Sequence, residues 1–229
     1  MIKKNDFVEI EFSGRVKDGE IFDTTIKQEA EKLGIRKEDV KPLIVCIGQG
    51  MLVSGFDKAL EGKEAGKEYN LELNQKDAFG ERNRDLIKTI PLRIFLEKEI
   101  NPKPGLVLAL DNMLARVIAV SGGRVITDFN NPLAGKIIIY QFKVLRKIES
   151  LDEKISSFLN FFLKRKFEFE IKDKTVVFKI DDKMYESAIG MFRGKFKEIF
   201  NLEIAFEAKQ KAEKAEKAGK EEKEEAIRE

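Results

Sequence analysis

The chain has 229 residues, 42% hydrophobic and 37% charged, with 43 Lys+Arg against 41 Asp+Glu for a net charge of +2. That length supplies cores for more than one compact unit, and charges so evenly mixed argue against a dedicated nucleic-acid or membrane binder. Histidine is absent and cysteine occurs once, which excludes histidine-assisted nucleophiles and the usual zinc sites, so no cofactor or metal is expected and any catalysis works by other means.

Residues 1–25 read as strands. Val8-Glu9-Ile10-Glu11-Phe12 alternates apolar and acidic residues and puts Val8, Ile10 and Phe12 on one buried face. Lys17-Asp18-Gly19-Glu20 supplies an Asp-Gly turn before Ile21-Phe22-Asp23-Thr24. A short surface helix over Gln28 to Leu33 ends at Gly34, and Leu43 to Ile47 is the next strand. Its Cys46 reads as an inert core thiol, because a reactive one needs a basic or histidine neighbour. Gly55 to Leu60 forms a short amphipathic helix with Ser54 placed to cap it and Gly62 near its end, and Tyr69 to Leu73 alternates again. No long apolar stretch follows the first lysines, and no window approaches the roughly 18 apolar residues that span a bilayer, so a soluble cytoplasmic protein is expected.

After Phe79-Gly80 the pattern changes. Glu81 to Asp85 is a polar link, followed by short apolar segments in which Met113 to Val120 and Arg124 to Asp128 flank Ser121-Gly122-Gly123 as a hairpin. Ile87, Ile90, Leu92, Ile94 and Phe95 are either this segment's own core or an exposed patch for unfolded chains. Ile137 to Ile148 returns to strand character, with Ile138, Tyr140, Phe142 and Val144 on one face, which suggests that the middle is inserted into a sheet closed by this last strand.

Beyond Glu149 the reading is a helix over Ile155 to Lys166, strands at Phe167 to Ile171 and Thr175 to Ile180 about a Lys172-Asp173-Lys174 turn, one helix over Met184 to Phe200, and a strand at Leu202 to Phe206. This is a separate small α+β unit. Phe158, Leu159, Phe161, Phe162, Met191, Phe192, Phe196, Ile199 and Phe200 are either all internal core or in part a homodimer contact. The basic residues Arg193, Lys195 and Lys197 also admit an RNA-binding module, but no Gly-x-x-Gly loop or aromatic stacking motif accompanies them, and no nucleic-acid partner is expected. From Ala208 onward Ala, Lys and Glu predominate, and pairs such as Glu213 with Lys217 suit a solvated, fraying helix.

Four stretches, in order, resemble the FKBP family of peptidyl-prolyl cis/trans isomerases. They are Val8-x-Ile10-x-Phe12-x-Gly14 with Asp18 to Thr24; Ile47-Gly48-Gln49-Gly50-Met51-Leu52-Val53-Ser54-Gly55-Phe56 with Ala59 to Gly62; Asp77-Ala78-Phe79-Gly80; and Asn131-Pro132-Leu133-Ala134-Gly135-Lys136. The long separation of the last two resembles the insert-in-flap domain of SlyD-like and long archaeal members. The resemblance implies an α+β fold: an FKBP-type antiparallel half-barrel with a short helix at 1–83 plus 132–149, an inserted small β-rich chaperone domain at 84–131, a C-terminal α+β domain at 150–207 and a charged helical or disordered tail at 208–229.

It further implies prolyl isomerisation of unfolded or nascent polypeptides together with chaperoning, with macrolides as pocket ligands and no membrane partner. The alternative is a holdase with weak or lost isomerase activity. The pocket maps onto Phe12, Phe22, Leu43, Leu52, Val53, Phe56, Phe79 and Tyr140, with Leu133 at the rim, Phe56 as floor, the Val53 N–H holding a substrate carbonyl and Asp23 facing the twisting amide. Taken singly, Phe12 and Phe22 read as barrel core and Asp23 as a turn cap. The chain departs from the family pattern in carrying Phe56 where Trp is frequent, Phe12 and Phe79 where Tyr is usual, and Pro132 where relatives often have His.

Overall fold

The alternating start of the chain becomes β1 (Phe7–Val16), whose Phe7, Val8, Ile10 and Phe12 are buried. The computed structural model describes residues 1–110 and 112–208, so the charged tail beyond Ala208 lies outside the described residues. A turn with Asp18 at positive φ leads into β2 (Ile21–Thr24). Next come α1 (Lys27–Ala30), whose tighter last turn stops at Gly34 with φ +68°, and β3 (Leu43–Cys46), where Cys46 is buried.

α2 (Ser54–Leu60) departs from expectation at its first turn. Val53, not Ser54, is the N-cap, and no side chain caps the helix. The Ser54 hydroxyl is drawn instead to the Asp77 carbonyl, at 3.3 Å. Gly55 permits that approach, since a Cβ there would stand 2.6 Å from Leu73 Cδ2 and 2.8 Å from the Asp77 oxygen. The following Asp57 is buried and accepts the Gly48 N–H with both carboxylate oxygens, at 3.0 and 2.9 Å, tying the turn before α2 to the helix. Desolvation raises its pKa, partly offset by that bond.

After β4 (Glu68–Leu73) the chain leaves for β5 (Ile87–Pro91), α3 (Leu92–Leu96), β6 (Val107–Leu110), β7 (Met113–Ser121) and β8 (Arg124–Asp128), then returns as β9 (Ile138–Lys147). β9 pairs antiparallel with β1 and with β4, giving the order β2-β1-β9-β4 with β3 also on β1. This is an antiparallel half-barrel closed over Phe56 and Leu60 of α2, both fully buried. It can close only when β9 arrives from far along the sequence.

The excursion makes its own antiparallel sheet, ordered β5-β8-β7-β6. β7 and β8 are joined by Gly122-Gly123, both at positive φ as a tight hairpin turn requires. One face carries a core of Phe95, Val117 and Val125. At the neck the Asn83 N–H donates to Asn130 Oδ1 at 2.8 Å, Asn130 Nδ2 donates to the Asn83 carbonyl at 2.9 Å, and Arg82 pairs with Asp128.

A second compact unit begins at Ser150. α4 (Leu151–Leu163) starts four residues earlier than expected because the Ser150 hydroxyl accepts the Glu153 N–H, and it ends earlier, at Lys164 with φ 52°. The Ser-x-x-Glu spacing is the signal the sequence offered for that start. β10 (Phe169–Lys172) and β11 (Thr175–Lys179) form a hairpin. The single helix expected over Met184 to Phe200 is two, α5 (Lys183–Gly190) and α6 (Arg193–Phe200). Gly190 and Gly194 weaken helical continuity there. Phe192, at φ −89° and ψ 4°, turns out of the helix to meet Phe158 and Phe162 at centroid distances of 5.4 and 5.2 Å. β12 (Glu203–Glu207) then pairs parallel to β11. The basic residues of α6 are engaged: Arg193 donates to the Ile204 carbonyl at 2.7 Å and Lys197 pairs with Glu203 at 2.6 Å. Among the described residues no helix is long and apolar enough to cross a membrane.

Candidate active site

The half-barrel gathers six aromatic side chains from five places in the sequence. β1 and β9 place Phe12 opposite Phe142 and Gly14 opposite Tyr140, while β2 brings Asp23 opposite Gly14. Phe56 of α2 stacks on Tyr140, with centroids 4.4 Å apart and planes at 22°. Phe12 meets both rings edge-on, at 5.6 Å from Phe56 and 5.9 Å from Tyr140. Phe22 lies edge-on to Tyr140 at 6.2 Å and to Phe79 at 5.6 Å, which extends the cluster outward. Offset and edge contacts of this kind contribute about 0.5–1.5 kcal/mol each beyond the area they bury.

Burial grades across the cluster. Phe12 and Tyr140 are buried and Phe56 has 0% of its surface exposed, while Phe22 and Phe79 are half-buried and form the outward side. Phe56, the floor that the resemblance implies, thus lies beneath Tyr140 rather than open to solvent. Leu43 on β3, and Leu52 and Val53 in the turn before α2, are also half-buried. The Val53 carbonyl accepts the Phe56 N–H at 3.0 Å, whereas the Val53 N–H makes no hydrogen bond among the described residues.

Leu133 sits in a turn held against the loop that carries Phe79. The Gly135 N–H donates to the Gly80 carbonyl at 2.8 Å, and Gln75 Nε2 donates to the Gly135 carbonyl at 2.7 Å.

Asp23 is the charged group of this region. As a whole residue it is exposed, yet loss of water around its carboxyl raises the pKa above the ordinary carboxylate value, with the Thr24 N–H partly opposing. Burial, and next the nearby Asp23 charge, push the Tyr140 phenol well above its usual range, so it stays a neutral hydroxyl. The site therefore has an apolar aromatic body with one buried, neutral phenol and one carboxylate beside it, and among the described residues no nucleophile is paired to a base there.

Two contributors carry no role in the sequence reading. Gly14 leaves space for both rings, and Phe142 packs on Phe56 at 5.0 Å. The period-two face of β9, which already joins Phe142 to Tyr140, is the signal that could have found the second.

In the excursion, the five residues read as core or patch divide. Phe95 is 1% exposed and Ile90 and Leu92 pack against it, so these three are core. Ile87 and Ile94 remain exposed, and Val107, Leu114, Ile118 and Ile126 join them as exposed apolar residues of the same unit.

A family model described as FKBP-type peptidyl-prolyl cis-trans isomerase matches residues 1–93, and one described as FKBP26, IF domain, matches residues 88–133. A short-type peptidyl-prolyl cis-trans isomerase of Methanocaldococcus jannaschii is 32% identical over 63% of this chain and 92% of its own. A probable FKBP-type 16 kDa peptidyl-prolyl cis-trans isomerase of Pseudomonas fluorescens is 29% identical, over 63% of this chain and 90% of its own. The SlyD isomerase of Aeromonas hydrophila is 28% identical over 60% of each chain.

Proposed function

Because the chain belongs to the family of FKBP-type peptidyl-prolyl cis-trans isomerases, it is such an isomerase, and we propose that it joins this activity to chaperoning of unfolded or nascent polypeptides. The observation that carries the reading is the graded aromatic cluster of Phe12, Phe22, Phe56, Phe79 and Tyr140 beside Asp23. Rotation about an X-Pro bond faces a barrier of roughly 18–20 kcal/mol because the amide is conjugated. Twisting breaks the conjugation and makes the carbonyl less polar, so a water-poor aromatic surface favours the twisted state over the planar one. In this reading Phe22, Phe79, Leu43, Leu52 and Leu133 wall the prolyl site. Phe12, Phe56 and Tyr140 support it, the Val53 N–H holds a substrate carbonyl, and Asp23 faces the amide. Macrolides that fill FKBP pockets compete for the same surface.

The chaperone part rests on Ile87, Ile94 and their exposed apolar neighbours in the 84–131 unit, a concentration that suits capture of unfolded chains. A cytoplasmic location belongs to the same proposal, and a chain whose single cysteine, Cys46, is buried fits a reducing compartment.

Removing Arg84 to Asn130 tests the division of labour. Small X-Pro peptides reach the site by diffusion, so their isomerisation stays within about an order of magnitude, roughly 1.4 kcal/mol of barrier. An unfolded protein held beside the site gains about two to four orders of magnitude in effective proline concentration, so deletion slows proline-limited refolding far more and abolishes suppression of aggregation. Phe56→Ala lowers both isomerase rates and leaves aggregation suppression intact. A holdase without isomerase function would show background peptide rates in the intact protein. Equal slowing of peptide and protein reactions by the deletion would reduce the 84–131 unit to a flap that shapes the site.

A further inference from the structure

The turn from Asn131 to Lys136 borders two features. Gly135 is tied to Gly80 beside Phe79, whereas Pro132, Ala134 and Lys136 line a cleft of about 210 Å³ between this turn and the outer face of the excursion's sheet. Val107 and Leu114, 49% and 68% exposed, supply apolar wall, and Arg82, Arg116 and Lys136 supply positive charge. The one carboxylate lining it, Asp128, is occupied by Arg82 and by the N–H and Nδ2 of Asn130 at 2.9 and 2.7 Å. Desolvation opposes ionisation of Asp128, but these hydrogen bonds outweigh it and keep its pKa below the ordinary value. Arg116 and Lys136 have no acidic partner among the described residues.

The cleft is smaller than the roughly 300 Å³ at which small-molecule sites begin, so it suits one or two side chains of an extended chain rather than a cofactor. Its apolar walls and lack of an aromatic ring on which a base could stack disfavour nucleic acid.

We propose that this cleft is a specificity subsite that takes an acidic segment, with an apolar neighbour, of the same client chain whose proline occupies the aromatic site. The proposal rests on the reading of that aromatic cluster as the prolyl site. The shared turn gives the geometric link: a chain leaving Phe79 and Leu133 on one side of residues 131–136 meets Pro132 and Lys136 on the other. Two exposed unpaired cations attract carboxylates and repel lysines, an effect that salt screens.

The test compares full-length protein on prolyl peptides carrying two Glu, two Lys or neutral residues within five positions of the proline, on either side. At low ionic strength kcat/KM should favour the acidic peptide over the basic one by about three- to tenfold, the range exposed charge pairs supply. The preference should vanish near 1 M salt, where the screening length is about 3 Å. Arg116→Glu with Lys136→Glu should reverse it and leave neutral-peptide turnover unchanged, which also reports correct folding. Lys166→Glu with Lys174→Glu, the same change of net charge in the second unit, should leave it intact. Absence of a preference in the unmodified protein overturns the proposal without reference to any variant. A preference that survives the first double substitution, or inorganic phosphate inhibiting every peptide alike with no preference among them, also overturns it. Background rates for all three peptides refute the prolyl-site reading itself, and the subsite falls with it.

Discussion

A methyl group at residue 14 would stand 2.7 Å from Tyr140 Cε1 and 3.0 Å from Phe22 Cζ. Both rings are wedged: Tyr140 is stacked on Phe56, and Phe22 is braced edge-on by Phe79. Gly14→Ala should therefore displace the outer aromatic rings rather than be absorbed by a free side chain, costing about 1–3 kcal/mol of stability as overpacking does. Peptide isomerisation should fall by about tenfold, more than the same substitution lowers turnover at a loose site, because small misplacements of the reacting geometry are expensive. Urea denaturation and a peptide assay on the same preparation check both numbers; unchanged activity with lowered stability would detach Gly14 from the site.

Gly194 lies in the first turn of α6, where an added Cβ meets nothing within 4 Å. Gly194→Ala should stabilise the second unit by up to about 0.5–1 kcal/mol, the usual helical penalty of glycine, and raise its melting transition by calorimetry; an unchanged or lower transition would mean the bend before α6 draws on that glycine. Legibility at this scale followed the range of the interactions. β1 and β9 were readable because alternation is a local property, whereas the α+β fold class came from the resemblance that the ordered motifs carry. The break between α5 and α6 was not, because it serves a tertiary contact of Phe192 with α4 that no local pattern encodes. The same holds for Ile90, Leu92 and Phe95, whose burial depends on the register of β5 against β8 and on strands still to come. The covered position of Phe56 depends likewise on Tyr140, which arrives with the last strand of the sheet. The order of the aromatic motifs pointed to one cluster; its depth profile required the structure.

For the whole molecule, the second unit carries a half-buried aromatic face: Phe161, Phe162, Phe192 and Phe200 surround the buried Phe158 and Phe196, and Met191 beside them is 86% exposed. We propose that this face forms a homodimer contact, since such a surface gains by leaving water. Sedimentation should show concentration-dependent dimers for the intact protein and monomers for a form ending at Glu149; an intact protein monomeric at high concentration ends the proposal. The neck of the 84–131 unit bears on a different property of the molecule. Asn83 and Asn130 clasp each other through two hydrogen bonds, at 2.8 and 2.9 Å, so the strands on either side meet the same pair of ends whatever lies between. Chain-closure cost rises only by about 0.6 kcal/mol for each doubling of loop length. The clasp thus makes this position a graft point, where a foreign module with adjacent termini could replace the native cassette and endow one unchanged barrel with a different choice of clients.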